Sequence, residues 1–187
     1  HYKELLTCRY LNPKFDFATS LDGLVDVIKN KDEEFIVNAL RLIEPNIKDF
    51  VLSKNEVLVD IGLDKRIPIN MMGDGARKIL SILTSIYECK NGIVLIDELS
   101  NGFHYSVMKG VWTSIVSVAK KNNVQIFATT HDLDSIKGLR DAAMSCEEYN
   151  NSIVCFKLHR TDNSELKSYQ YSLDSVDYSL NQEIEIR

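Results

Sequence analysis

Residues Gly92 to Glu98 read GIVLIDE, an apolar run closed by two adjacent carboxylates, and Val124 to Asp132 read VQIFATTHD, a second apolar run closed by a histidine and an aspartate. Four consecutive aliphatic residues, Ile93 to Ile96, fit a strand buried on both faces of a parallel sheet, which places Asp97 and Glu98 at its carboxyl end. Open α/β sheets bind ligands at that end. The chemistry these residue types would support is nucleotide hydrolysis. Asp97 suits Mg²⁺, held directly or through a water, and Glu98, one residue on, suits a general base facing an attacking water. His131 lies 34 positions after Asp97 with a helical segment between, the length a right-handed strand–helix–strand crossover needs to bring two strand ends together. From there it would touch a γ-phosphate.

Each feature alone has a structural alternative, in which the acids after a buried strand merely cap the next helix. A third element stands upstream. Met72-Gly73-Asp74-Gly75-Ala76 is followed at once by a helical pattern with Ile79, Leu80, Leu83, Ile86 and Tyr87 on one side. A glycine-rich turn that opens a helix exposes backbone N–H groups at the positive end of the helix dipole, which makes an anion site.

With these three elements in this order, the chain resembles the ABC-type ATPases. Within them it looks most like the stand-alone ATPases related to the RecF and overcoming-lysogenization-defect proteins, a group often called AAA-family ATP-binding proteins. Ile93 to Glu98 match the Walker B strand, Met72 to Ala76 the signature loop, and Ala128-Thr129-Thr130-His131-Asp132 the switch-histidine loop. Asn101-Gly102-Phe103-His104 falls in the loop after Walker B, with His104 where transporters carry an aspartate and where the RecF-type relatives carry histidine. Gly73 stands where many ABC proteins place a serine, which leaves backbone donors and the helix dipole. The matching stretch runs from about Ile47 to the C-terminus.

The resemblance implies ATP and Mg²⁺ as ligands, with Asp97 on the metal, Glu98 and His131 catalytic, and Gly73, Asp74, Gly75, Arg77 and His104 near nucleotide. Arg77-Lys78 beside the glycine turn reads either as a local helper for the phosphates or as a solvated helix face. A complete ABC ATPase also needs a Walker A loop, G-x-x-x-x-G-K-[ST], to cradle the phosphates. None of the eight glycines is followed by Lys-Ser or Lys-Thr. A lobe preceding His1, with the Walker A and glutamine loops and the first sheet strands, is therefore expected. The overcoming-lysogenization-defect nucleases continue after the switch histidine into a metal-binding Toprim domain. Only 56 residues follow His131 here, with Glu147-Glu148 but no Asp-x-Asp on an apolar strand.

The chain has 187 residues, 44% of them apolar and 26% charged, ordinary values for one globular domain with a sizeable core. No apolar run reaches membrane-span length and the N-terminus shows no signal peptide. Cys8, Cys89, Cys146 and Cys155 lack C-x-x-C spacing and read as reduced thiols of a cytoplasmic protein rather than a zinc site. A net charge of −5 argues against a broad phosphate-binding surface in this portion, while nucleic acid remains a possible ligand of other regions.

The elements that must position these residues follow from periodicity. Helices are predicted over Ser20 to Asn30 and Asp32 to Glu44, with Ser20 and Asp32 as N-caps and Pro45 ending the second. Strands follow at Ile47 to Leu52, Val57 to Ile61 and Ile67 to Ile69. After the glycine-turn helix come a helix over Ser106 to Lys121, in which Trp112 is core or a partner contact, and another over Leu133 to Met144. A hairpin of Ile153 to Leu158 and Leu166 to Tyr171, turning through Thr161-Asp162-Asn163-Ser164, precedes a helix over Asp174 to Leu180 and a final Ile184-Glu185-Ile186.

The expected fold is a partial P-loop NTPase of ABC type: a mainly parallel sheet with flanking helices, a helical subdomain at residues 1–46, and the ATPase core at 47–187. The resemblance implies a head-to-tail homodimer sandwiching two ATPs, opened by hydrolysis, with an effector protein or nucleic acid as its target in phage defence or DNA transactions. Two rivals stand beside it. One is a non-catalytic regulatory or scaffold subunit that binds a partner protein. The other is a Mg²⁺-dependent nuclease built on Asp97 and Glu98, which would need a third carboxylate at metal-bridging distance.

Overall fold

A computed structural model describes residues 6–12, 21–54, 56–146, 149, 152–161 and 164–182. The chain runs β1 (Cys8–Leu11), α1 (Leu21–Lys29), α2 (Glu34–Leu40), β2 (Asp49–Ser53), β3 (Glu56–Asp60), β4 (Ile67–Pro68), α3 (Asp74–Glu88), β5 (Ile93–Ile96), α4 (Met108–Lys121), β6 (Gln125–Ala128), α5 (Leu133–Met144), β7 (Cys155–Arg160), β8 (Leu166–Tyr171) and α6 (Leu173–Asn181). Short 3-10 turns at Ile69–Met72 and Tyr105–Val107 lead into α3 and α4.

The central sheet is parallel, in the order β1-β5-β6, with Leu11 and Ala128 both in register with Ile96. β5 is therefore the middle strand, as its unbroken aliphatic run requires. A separate antiparallel sheet, β2-β3-β4, precedes the glycine turn, and β7-β8 form a hairpin. Helix α3 carries the core: Ile79, Leu80, Ile82, Leu83 and Ile86 are all essentially inaccessible, and the helix packs against α1, α2, α4 and β5. The apolar stripe of this amphipathic helix is the face turned to the core, and each such side chain contributes about 1.5–3 kcal/mol on leaving water.

Several boundaries differ from expectation, each for a tertiary reason. Residues 8–11, assigned above to a helical subdomain, form a strand of the parallel sheet, so one early sheet strand lies within this chain. Arg9 fastens it to the last turn of α3 through Glu88 at 2.6 Å. Helix α2 spans Glu34–Leu40 rather than Asp32 to Glu44. Asp32 does not cap it, because its carboxylate accepts from Tyr87 at 3.0 Å and Lys121 at 3.1 Å. At its other end the Arg41 side chain donates to the Ile47 and Lys48 carbonyls, drawing the chain into a turn well before Pro45.

Strands β2 and β7 begin two residues later than predicted, and Ile69 opens a 3-10 turn instead of ending a strand. Trp112 is core, its indole N–H donating to the Ser135 carbonyl at 2.9 Å. Ser20, Glu147-Glu148, Asp162-Asn163 and the final Ile184-Glu185-Ile186 lie outside the described residues. No described helix is long and apolar enough to cross a membrane.

Candidate active site

Asp97 and Glu98 leave the carboxyl end of β5, and the loop carrying His131 leaves the carboxyl end of its neighbour β6. The parallel ladder continues one step into the loops: the Asp97 N–H donates to the Leu11 carbonyl and the Thr129 N–H to that of Ile96, each at 2.9 Å. The Leu99 N–H then reaches back to the Thr129 carbonyl at 2.9 Å. The two loops are thus stitched by backbone before any side chain acts.

Thr129 sits between the acids. Its hydroxyl donates to Oδ1 of Asp97 at 2.6 Å and accepts from the Glu98 N–H at 2.9 Å. Ser100 and Thr130 add a hydroxyl pair at 3.0 Å. Tyr10, at the end of β1, places its phenol 3.4 Å from Oδ2 of Asp97. Neither Thr129 nor Tyr10 stood out by residue type; both are found only from the strand order.

Glu98 adopts a left-handed backbone, φ +50°, a conformation that costs a non-glycine residue about 1–2 kcal/mol. The turn swings its carboxylate toward β6, where Oε2 lies 2.6 Å from Nδ1 of His131. That contact is close, yet its direction does not make a hydrogen bond, and Oε2 is a buried oxygen without a hydrogen-bonding partner. The His131 side chain is 76% exposed and that of Glu98 30%. Of this pair, the solvent-facing imidazole is the part that a water or a phosphate oxygen can reach.

The glycine turn opens α3 as expected. Gly73 has φ +85° and ψ 176°, a conformation essentially confined to glycine, and a Cβ there would meet nothing within 4 Å. Its outer face is open. Gly75 is the reverse: a Cβ would lie 2.9 Å from the Gly102 carbonyl oxygen, so the turn and the loop after β5 are in backbone contact. Asp74 and Arg77 form an ion pair with each other, so the guanidinium is engaged within its own turn. Lys78 fits neither alternative proposed for it. It is buried, donating to the carbonyls of Glu98 at 2.7 Å and Asn101 at 3.0 Å. His104 spends its hydrogen bonds locally: Nδ1 pairs with Ser106 Oγ at 2.8 Å and caps the 3-10 turn.

Among the described residues no group of three or more His, Cys, Asp and Glu side chains gathers as a metal site. One carboxylate at the end of β5 nonetheless fits Mg²⁺ in its nucleotide-bound mode, where phosphates and waters supply most of the six oxygens. It does not fit the multi-carboxylate cage that the nuclease alternative requires.

Comparison with known proteins bears on the family and the fold. The AAA ATPase domain family model matches residues 11–135. An ATP/GTP phosphatase of Helicobacter pylori is 26% identical over 159 residues, covering 82% of this chain and 43% of that protein. The chain thus spans less than half of that relative's length. An uncharacterized protein of Methanocaldococcus jannaschii is 35% identical over 107 residues, covering 56% of this chain and 89% of its own. Among solved structures, one described for ATP-driven dimerization and DNA-stimulated activation of SMC ATPases superposes with a TM-score of 0.55 at 12% identity, covering 88% of this chain and 99% of that one. At that identity the likeness speaks to fold: a mixed α/β arrangement of P-loop NTPase type. The chain belongs to the AAA ATPase domain family.

Proposed function

We propose that this chain is the catalytic C-terminal portion of an ATPase that hydrolyses ATP to ADP and phosphate. The observation that carries the reading is the convergence of Asp97, Glu98 and His131 at the ends of two adjacent parallel strands, with Glu98 turned into a left-handed conformation toward His131. Asp97 would hold Mg²⁺, whose charge offsets that of the phosphate oxygens when bound. The Glu98 carboxylate takes a proton from water as the water oxygen bonds to the γ-phosphorus and the bond to the leaving ADP oxygen breaks. His131 faces the same phosphate and stabilises charge there. Thr129 holds the two acids apart and in register by bonding one side chain and the other's backbone.

The phosphate cradle is proposed to come from a Walker A lobe outside these 187 residues. Three features support that. No glycine here opens a Walker A pattern; β6 ends the described sheet with Phe127 53% exposed; and Phe156, Leu158 and Leu166 stand more than 60% exposed on the hairpin. Such apolar surface wants a cover. The open outer face of Gly73 supports a head-to-tail dimer in which this turn meets the nucleotide of a second subunit, so that ATP acts as a dimerisation switch. The ATP/GTP phosphatase relative and the dimerising SMC ATPase favour this over a non-catalytic scaffold.

The test is to assay the 187-residue chain and the complete gene product side by side. The complete product should release phosphate from ATP in a Mg²⁺-dependent way that Asp97→Asn abolishes. The chain alone should stay at background and bind ATP no better than weakly by calorimetry, because Asp97 and Glu98 repel a polyphosphate when no lysine or backbone cradle opposes them. Micromolar ATP binding by the chain alone would mean that its phosphate site lies elsewhere.

A further inference from the structure

Lys78 is a buried cation that the mechanism above does not use. It is only 8% exposed, although it lies in the first turns of a helix. Its ammonium donates to the Glu98 carbonyl at 2.7 Å and the Asn101 carbonyl at 3.0 Å, and sits 5.8 Å from the centre of the Phe103 ring. Burial pushes its pKa down to about 8, against the pull of the Glu98 and Asp97 carboxylates. Burying an ammonium is costly unless it is paired, so its place must be justified by what it holds.

What it holds is the peptide that follows Glu98. The left-handed Glu98 presents its carbonyl to two donors, the Lys78 ammonium at 2.7 Å and the Asn101 N–H at 3.2 Å. One turn earlier on the same helix, Gly75 lies against the Gly102 backbone, and Gly102 itself has φ +84°. Residues 98–103 are therefore fastened at several points to the first turns of α3, the segment that opens with Gly73. A movement of the glycine turn is carried by one rigid helix to the Glu98 peptide.

We infer that Lys78 is a positioning residue that clamps the Glu98 and Asn101 carbonyls and so couples the glycine turn to the direction of the Glu98 carboxylate. The inference rests on reading Glu98 as the general base, and it adds a link within one subunit: an anion engaged at Gly73 is felt at that subunit's own Glu98. Misplacing a base by about 1 Å costs on the order of a hundredfold in rate. Ground-state nucleotide affinity need not change.

Two measurements test it. Backbone amide exchange on this chain compares wild type, Lys78→Met and Lys78→Arg. In Lys78→Met the amides of residues 99–103 should exchange about tenfold faster or more, while those of Ile82 to Ile86 keep their protection; Lys78→Arg, which retains donors, should fall near wild type. In the complete gene product Lys78→Met should lower kcat for ATP by about ten- to a hundredfold with KM within about twofold, and Lys78→Arg should recover most of the loss. Combined with Glu98→Gln it should add almost nothing, since a residue acting through Glu98 has no effect once the base is gone. Unchanged exchange at residues 99–103, or a full additional loss in the Glu98→Gln background, overturns the inference. Absence of turnover in the wild-type product refutes the ATPase reading instead, and the exchange data then decide the clamp by themselves.

Discussion

Oε2 of Glu98 and Nδ1 of His131 approach to 2.6 Å across two adjacent parallel strands, two residues beyond Ile96 and three beyond Ala128, the last residues of those strands. The two side chains differ in setting, since the imidazole is largely in solvent and the carboxylate largely shielded. His131 therefore contributes little to holding the fold. His131→Ala should change unfolding free energy by no more than about 0.5 kcal/mol, the scale for exposed positions. Its effect on ATP turnover in the complete gene product should be a loss of about a hundredfold, as for a stabiliser of transition-state charge. A large fall in melting temperature with near-normal turnover would reverse the assignment.

Thr129 makes the second prediction. Thr129→Val keeps the shape and removes both hydrogen bonds, one of them to a carboxylate. The cost should be about 1–2 kcal/mol in denaturant titrations, and Thr129→Ser should recover most of it. Equal stability of the valine and serine variants would show that the bridge between Asp97 and Glu98 is not formed in solution.

Lys78 gives a pH signature of defined sign. Its folded pKa is lowered from 10.5 to about 8 by burial, opposed by Glu98 and Asp97, with the Glu98 and Asn101 carbonyls and the Phe103 ring as its other neighbours. Below about pH 8 both folded and unfolded states carry the proton, and the burial cost is present in full. Between about pH 8 and 10.5 the unfolded state binds more protons than the folded one, so this group's contribution to stability rises with pH. Urea titrations of wild type and Lys78→Met should show wild type gaining on the variant as pH goes from 7 to 10. A constant difference across that range would mean that the lysine keeps an ordinary pKa.

Much of this site was legible because its signals are local. The aliphatic run Ile93 to Ile96 demands a two-sided burial that only a middle strand provides, and the spacing to His131 demands a crossover. The glycine turn announces itself through Gly73 and Gly75. What stayed hidden is tertiary. β1 is four residues, CRYL, with alternating exposure, too short for a period to be read. Lys78 looks like any polar helix residue, although it stands three positions after Gly75 and four before Ile82, on the stripe that is buried. The truncated α2 follows from Arg41 reaching the Ile47 carbonyl, a contact no helix propensity contains. The left-handed Glu98 is stabilised by Lys78 and Thr129, from 20 residues before it and 31 after.

The general-base role of Glu98 is the centre of the account, and Glu98→Gln in the complete gene product tests it most directly. The variant should bind ATP with nearly wild-type affinity, turn it over about a hundredfold or more slowly, and accumulate an ATP-bound dimer on a sizing column. Wild-type turnover in Glu98→Gln would contradict the account and remove this carboxylate from the chemistry.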